Sequence, residues 1–291
     1  MTKVYVLTHA KCSDGEGAEF AARVKYGDSA TYIPVKYNEP PPEMESGSEV
    51  YIADFSYDRE TLLALADKAS KIQVLDHHLS AQRALEDLPF AKFDMEKSGA
   101  VLAWEYFHPG VPIPQILLHI QDRDLWNWKL PDTNKILLGL QVSKNGSHDW
   151  DKFDIEELKR IGTGADMLEQ RVAKDQSTPE NVRIITLFGY KVGVTNETRF
   201  SSTVGNYIYE NLPVDFSMTY SISSDLKCLL SFRAKKGSDV DVSLVAKQFG
   251  GGGHKASAGA IISLLDLTPI LLNAHERYLA PLGTYSELVK A

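Results

Sequence analysis

Cysteine is scarce in this chain: Cys12 and Cys228 are the only two among 291 residues. Two thiols far apart cannot form a disulfide framework, so a small stapled fold is excluded and a reducing, cytoplasmic setting is expected. Basic charge is scarce too. Lys and Arg number 31 against 39 Asp and Glu, a formal net charge of −8. Proteins that grip long nucleic acid normally show a basic footprint. No long duplex DNA partner is therefore expected, although a local basic groove can hide in an average. The acidic balance better suits a small anionic ligand held by a few groups and metal cations. No apolar run reaches the roughly 18 residues of a membrane span. The opening stretch MTKVYVLTHA is too short in its apolar part for a signal peptide and lacks a cleavage pattern, so no membrane partner is expected. Internal repeats and long low-complexity tracts are also lacking. What remains is an ordinary globular composition, in a chain long enough for two domains with real cores.

The first half alternates strand-like and helix-like segments. Val4 to Leu7 reads as a strand, Asp14 to Lys25 as a helix capped by Ser13 or Asp14, and Thr31 to Val35 as a second strand. Asn38 to Ser48 is an exposed loop by its Pro and Gly content. A third strand, Val50 to Ala53, ends in Asp54; a helix follows over Arg59 to Ala69; a fourth strand, Ile72 to Leu75, ends in Asp76. Such alternation predicts an α/β fold with a parallel sheet and helices on its faces. From about Ser98 to Gln176 the pattern is mostly helical, with Ser98 as a cap. The character changes near Pro179. Two strands around Phe188-Gly189-Tyr190, a hairpin turning at Ser223-Ser224-Asp225, a helix over DVSLVAKQF and a strand over Ala260 to Leu264 make a smaller mixed α/β domain. The expected division is 1–178 and 179–291, with a cleft between the two.

In parallel sheets, ligands bind beyond the carboxyl ends of the strands. There the pattern gathers His9, Asp14, Asp54, Asp76, His77 and His78, with Asp122 or Asp124. Taken singly, an Asp after a strand is usually a cap or a turn residue, and His9 a turn or core histidine. Taken together, four segments bring acids and imidazoles to one edge. Asp and His together suit divalent metals, Mn²⁺ in particular. Two ions can clamp the attacking and leaving oxygens of a phosphoryl transfer. Trp126 and Trp128 read as packing residues. The four glycines Gly250 to Gly253, followed by His254, read either as a flexible linker or as a backbone nest for an anion, with Arg233 as a nearby fork.

These residues resemble a known family. VLDHH, at the end of the fourth strand, resembles the name-giving motif of the DHH phosphoesterase superfamily. FGGGGHKASAG, Phe249 to Gly259, resembles the signature of the DHH-associated C-terminal domain. The resemblance covers nearly the whole chain. It implies an N-terminal parallel-sheet domain with a dinuclear metal site and a substrate-binding C-terminal domain. It makes His9, Asp14, Asp54, His77 and Asp122 metal ligands, with Asp124 as runner-up for the last. Asp54 bridges the ions, Asp76 orients His77, and His78 faces the substrate phosphate as a proton donor. Arg233, Gly251, Gly252, Gly253 and His254 hold the far end of the substrate. One departure is plain: the family's first motif commonly carries two acids, and Cys12 stands where the first would be. Either Cys12 ligates a softer ion as thiolate, or the first ion is held weakly, or Cys12 is a packed thiol without a role.

The resemblance thus implies a hydrolase in the oligoribonuclease-like branch, using two divalent ions, Mn²⁺ first among candidates. Its expected substrates are short oligonucleotides or linear dinucleotides, cleaved to mononucleotides. Homo-oligomeric assembly is left open by the sequence. Two alternatives stand: a nucleotide sensor with a degraded metal site, and a phosphatase of small phosphoesters such as nucleoside bisphosphates.

Overall fold

The computed structural model describes residues 2–36, 39–143, 150 and 152–273. The chain forms two compact units, 1–166 and 167–291. The expected loop start Asn38 and the segment 274–291 of the expected second domain lie outside the described residues.

The first unit begins with β1 (Val4–His9), α1 (Ser13–Tyr26) and β2 (Ala30–Val35). It continues through β3 (Glu49–Ala53), α2 (Arg59–Ala66), β4 (Lys71–Asp76), α3 (Leu79–Leu85) and β5 (Ala91–Phe93). Then come α4 (Gly99–Phe107), α5 (Gln115–Asp124), α6 (Thr133–Ser143) and α7 (Ile155–Gln176), within which the unit ends. The sheet is wholly parallel, in the order β2-β1-β3-β4-β5. Alternation along each strand feeds two cores. Val6, Tyr51, Ala53 and Leu75 pack with α1, α4 and α5 on one face. Tyr5, Leu7, Val50, Ile52 and Val74 pack with Leu62 of α2 and Leu85 of α3 on the other. Both faces being covered, the central strands β1, β3 and β4 are largely apolar, as buried parallel strands tend to be. β1 has β2 on one side and β3 on the other, so the chain reverses its direction of travel across the sheet there. The carboxyl ends of β1 and β3, which carry His9 and Asp54, flank that reversal.

Local chemistry sets several boundaries. Asp58 caps α2, its carboxylate accepting the Thr61 N–H. Ser98 caps α4 as expected, accepting from Val101. α1 differs from expectation: its cap position is Cys12, with no side-chain cap bond, and Asp14 is turned elsewhere. The expected helix over Arg59 to Ala69 stops at Ala66, and the short strand β5 was not foreseen.

The second unit contains β6 (Arg183–Leu187), β7 (Tyr190–Asn196), α8 (Ser201–Asn211), β8 (Phe216–Ile222) and β9 (Lys227–Arg233). It ends with α9 (Val242–Lys247), β10 (Gly252–His254), β11 (Ser257–Ser263) and α10 (Leu264–Leu272). Its sheet runs β10-β11-β9-β8-β7-β6 and is mixed. Only β7 and β8 pair in parallel, and α8 is the crossover such a pair needs. β6 and β7 meet in a two-residue turn, where Phe188 has φ 51° and Gly189 φ 82°. Positive φ at both central positions is the hairpin turn whose twist matches the strands. α9 and α10 pack on one face of this sheet, and α8 with Ala173 of α7 on the other. Among the described residues, no helix is long and apolar enough to cross a membrane.

Candidate metal centre

The carboxyl edge of the parallel sheet gathers the acids and imidazoles that the strand pattern anticipated. Asp54 follows β3 with φ 57°, a left-handed backbone unusual for a residue bearing a side chain, and its N–H donates to Leu75 of β4. Its two carboxylate oxygens face different ways. Oδ1 lies 3.1 Å from His77 Nε2, whereas Oδ2 lies 3.7 Å from His9 Nδ1, beyond hydrogen-bond distance. Oδ2 is buried without a hydrogen bond. Such an atom is costly to bury unless something further satisfies it.

His77 Nε2 is shared among three acids. Besides Asp54, Asp14 Oδ2 and Asp124 Oδ2 each lie 3.5 Å away. Burial pulls the His77 imidazole down, but these charges outweigh it and hold it up at about 10. Burial first, then the charges of Asp54 and Asp124, push Asp14 well above the usual carboxylate range. Asp54 goes the other way: burial raises it, but the His77 bond, the nearby His9 and the charge of His77 bring it below the ordinary value. Three carboxylates around one imidazole leave the cluster short of positive charge. Asp14 is anchored from outside its own helix, its oxygens accepting the Gly99 and Ala100 N–H groups at 2.6 and 2.9 Å. The amino end of α4 therefore points its unpaired amides at an acid 85 residues earlier in the chain.

Asp76 sits behind the cluster. Its Oδ1 accepts from the His77 and His78 N–H groups at 2.7 and 3.2 Å and lies 2.7 Å from His78 Nδ1. Its Oδ2 accepts from Ser56 at 2.5 Å. Its carboxylate meets the His78 ring, not the His77 ring, as a side-chain partner. Burial lowers the His78 imidazole, and the Asp76 bond and charge more than offset that.

Among the described residues the donor atoms fall into three overlapping groups, each within 4.8 Å: His9, Cys12 and Asp54; Asp54, His77 and His78; and Asp14, His77 and Asp124. Asp54 belongs to two of them and His77 to two. The excess of acid, the unsatisfied Asp54 Oδ2 and the mixture of carboxylate and imidazole donors all fit divalent ions.

No family model matches the chain. The uncharacterized protein R106 of Acanthamoeba polyphaga mimivirus is 32% identical, over 89% of this chain and 67% of R106. Oligoribonuclease NrnB of Bacillus subtilis (strain 168) is 20% identical, over 86% of this chain and 71% of NrnB. The chain belongs to one family with R106, within the DHH-like superfamily. The fold is also that of the pGpG-specific phosphodiesterase PggH of Vibrio cholerae, with a TM-score of 0.50 at 12% identity over 92% of this chain and 96% of that one.

Within this DHH-like chain the structure separates Asp122 from Asp124. Asp122, expected as the ligand, is buried in structural hydrogen bonds. It accepts from the Lys129 and Leu130 N–H groups at 2.7 and 3.1 Å and from Thr133 Oγ1 at 2.8 Å. Asp124, the runner-up, is the acid that reaches His77. Residues two apart near a helix end cannot share a direction. The loop that Asp122 secures carries Trp126 and Trp128, both with positive φ, in an edge-to-face pair 4.8 Å apart. Trp128 is 39% exposed, so it is not a core residue.

In the second unit, Arg233 pairs across the sheet with Ser257, and Ser257 with His254. Directly paired residues share a face, so Arg233 and His254 lie in one cross-strand row. Arg233 donates to Ser202 Oγ at 2.6 Å and to the Phe232 carbonyl at 2.9 Å. Burial brings its guanidinium down to about 10. The glycine run is not a flexible linker. Gly252 and Gly253 belong to the edge strand β10, while at Gly251 a Cβ would collide with the Gly259 carbonyl and at Gly253 with the Ala258 backbone. Gly252 alone of the three has open space at that position. Sequence reading missed Ser56, Gly99 and the Ala100 amide. Only the apolar run after Ser98 hinted at a helix start, and nothing in it named Asp14 as the partner.

Proposed function

We propose that the protein is a metal-dependent phosphodiesterase that cleaves short oligonucleotides or linear dinucleotides to mononucleotides. The observation that carries this reading is Asp54, whose two oxygens each face a separate group of metal donors. Kinship with an oligoribonuclease supports the substrate class. His9, Asp14, Asp54, His77 and Asp124 would hold two divalent ions, Mn²⁺ suiting the oxygen-rich donors. When bound, such a pair lowers the pKa of a water and neutralises charge on the phosphoryl group. Asp54 fixes the spacing between the two positions from a rigid strand end. Asp76 fixes the His78 ring through Nδ1, so Nε2 is the atom at which His78 meets a phosphate oxygen or a leaving group. Burial works against the Asp76 charge, but the bond and charge of His78, and then the Ser56 bond, hold its carboxyl below the usual value. In the second unit, Arg233 and His254 supply donors on one row for a terminal phosphate or base.

The test is turnover of 5′-phosphorylated RNA dimers to pentamers, bis-p-nitrophenyl phosphate and adenosine bisphosphate, with Mn²⁺ and with EDTA. Mn²⁺-dependent release of mononucleotides, fastest on the shortest RNAs and lost in Asp54→Ala, is expected. Full activity of a folded Asp54→Ala would overturn the metal assignment. Turnover of adenosine bisphosphate alone would overturn the diester assignment.

A further inference from the structure

The two ends of the cluster differ in chemistry. Asp14, His77 and Asp124 make an oxygen-rich group, two carboxylates with one imidazole. His9, Cys12 and Asp54 make the other, one imidazole, one sulfur and one carboxylate oxygen. Sulfur is a soft donor. It discriminates in favour of Zn²⁺ and similar ions and against Mn²⁺ and Mg²⁺, which prefer oxygen.

Resting on the metal-centre reading above, we propose that the protein holds an unlike ion pair: a thiophilic ion such as Zn²⁺ on Cys12, His9 and Asp54, and a harder ion such as Mn²⁺ on Asp14, His77 and Asp124. Three observations place Cys12 in this role. Its sulfur lies within 4.8 Å of both the His9 and the Asp54 donor atoms. The nearly fully buried Asp54 points the oxygen that lacks a hydrogen bond toward His9, another donor of the same group. Cys12 also occupies the cap position of the 14-residue helix α1 without making a side-chain cap bond, so its sulfur is not committed to the helix. The chain provides its own contrast: Cys228 faces the apolar core of the second sheet, fully buried among Met218, Leu230 and Phe232. A thiol that serves packing sits there. Cys12 instead lies among an imidazole and carboxylates, where apolar packing gains little.

Ligation forms one sulfur–metal bond and breaks one S–H bond. The proton leaves to solvent, and no oxidation state changes. Three protein donors are the number found in open catalytic zinc sites, whereas closed structural sites use four. Asp54 belongs to the soft group through one oxygen and faces the harder group's His77 through the other, so exchange of one ion is felt at both positions.

Metal-free full-length protein loaded with Co²⁺ tests this directly. The wild type should show a thiolate-to-cobalt charge-transfer band in the near ultraviolet together with visible d–d bands. Cys12→Ser and Cys12→Asp should lose the first and keep the second. The Zn²⁺ to Mn²⁺ affinity ratio, read by competition titration, should fall by about tenfold or more in Cys12→Asp. X-ray absorption on the zinc-loaded wild type needs no variant and should show one sulfur neighbour at about 2.3 Å. Cobalt d–d bands without charge transfer, and a zinc shell of nitrogen and oxygen only, would overturn the unlike pair while leaving the metal centre standing. No cobalt absorption and no heat of binding in the wild type would overturn the metal centre and this proposal together.

Discussion

Gly99 is placed where a single methyl group should disable the centre. It is the first residue of α4, and its N–H donates to Asp14 at 2.6 Å. A Cβ built there would lie 2.5 Å from Asp54 Cβ, 2.7 Å from its Cα and 3.0 Å from its N. Ordinary contact is about 3.4–4 Å, so Gly99→Ala demands a separation of about 1 Å between α4 and the turn after β3. Asp54 cannot give way easily. Its backbone is already left-handed and its N–H is bonded to Leu75. On stability, alanine in a helix gains roughly 0.5–1 kcal/mol over glycine. Overpacking costs roughly 1–3 kcal/mol, so the net effect is a loss. The larger consequence is geometric. Moving Asp54 by about 1 Å shifts an acid that faces both donor groups, and a misplacement of that size can cost about 100-fold in rate. The assay is kcat on a chromogenic phosphodiester with Mn²⁺, alongside Mn²⁺ titration and a melting curve. The N–H to Asp14 survives in this variant, so loss of the amide cannot explain the result. Turnover and Mn²⁺ affinity near those of the wild type, with an unchanged melting temperature, would refute the claim that Gly99 is there to make room for Asp54.

Other substitutions separate structural from functional acids. Asp122→Ala should destabilise the fold by about 2–4 kcal/mol, because two loop amides and Thr133 lose a buried acceptor. Asp124→Ala should leave stability near wild type while weakening Mn²⁺ binding; paired denaturant melts and metal titrations distinguish the two, and the reverse pattern would restore Asp122 as the ligand. Divalent ions should stabilise the protein, since they relieve repulsion among Asp14, Asp54 and Asp124. At about 100 times Kd the gain is roughly 2.7 kcal/mol, read as a rise in melting temperature that EDTA removes and that is absent in Asp54→Ala. Asp132 gives a pH prediction remote from the centre. Hydrogen bonds from Lys135 and Lys159 hold its carboxyl down at about 2, below the ordinary 3.8. A folded-state value depressed in this way contributes stability above the ordinary value and loses it as pH falls toward about 2. Asp132→Asn should therefore flatten the fall in melting temperature through that window. Asn tolerates the positive φ at this position, so backbone strain should not obscure the result. An unchanged acid slope would show that the ion pairs are screened away.

Much of this protein is set by local rules that sequence expresses directly. Apolar runs alternating with helical periods dictate a parallel sheet with covered faces. Strand runs that stop at His9, Asp54 and Asp76 place those groups at one edge, because strand polarity is shared across a parallel sheet. The Ser98 cap and the Phe188-Gly189 turn follow from the chemistry of single residues. The tertiary structure decided what depends on direction and on distant partners. Asp122 and Asp124 are two residues apart, and only the course of the chain after α5 turns one into the loop and the other to His77. Asp14 looks in sequence like a cap for α1; the amides that hold it belong to α4, 85 residues away. Gly251 looks in sequence like flexibility, and in the fold it and Gly99 are each an absent side chain that lets two segments meet. Cys12 could be a packed thiol, a weak position or a soft ligand by sequence alone. Packing α1 against the ends of β1 and β3 sets its sulfur beside His9 and Asp54, because a side chain's chemistry depends on the groups that surround it.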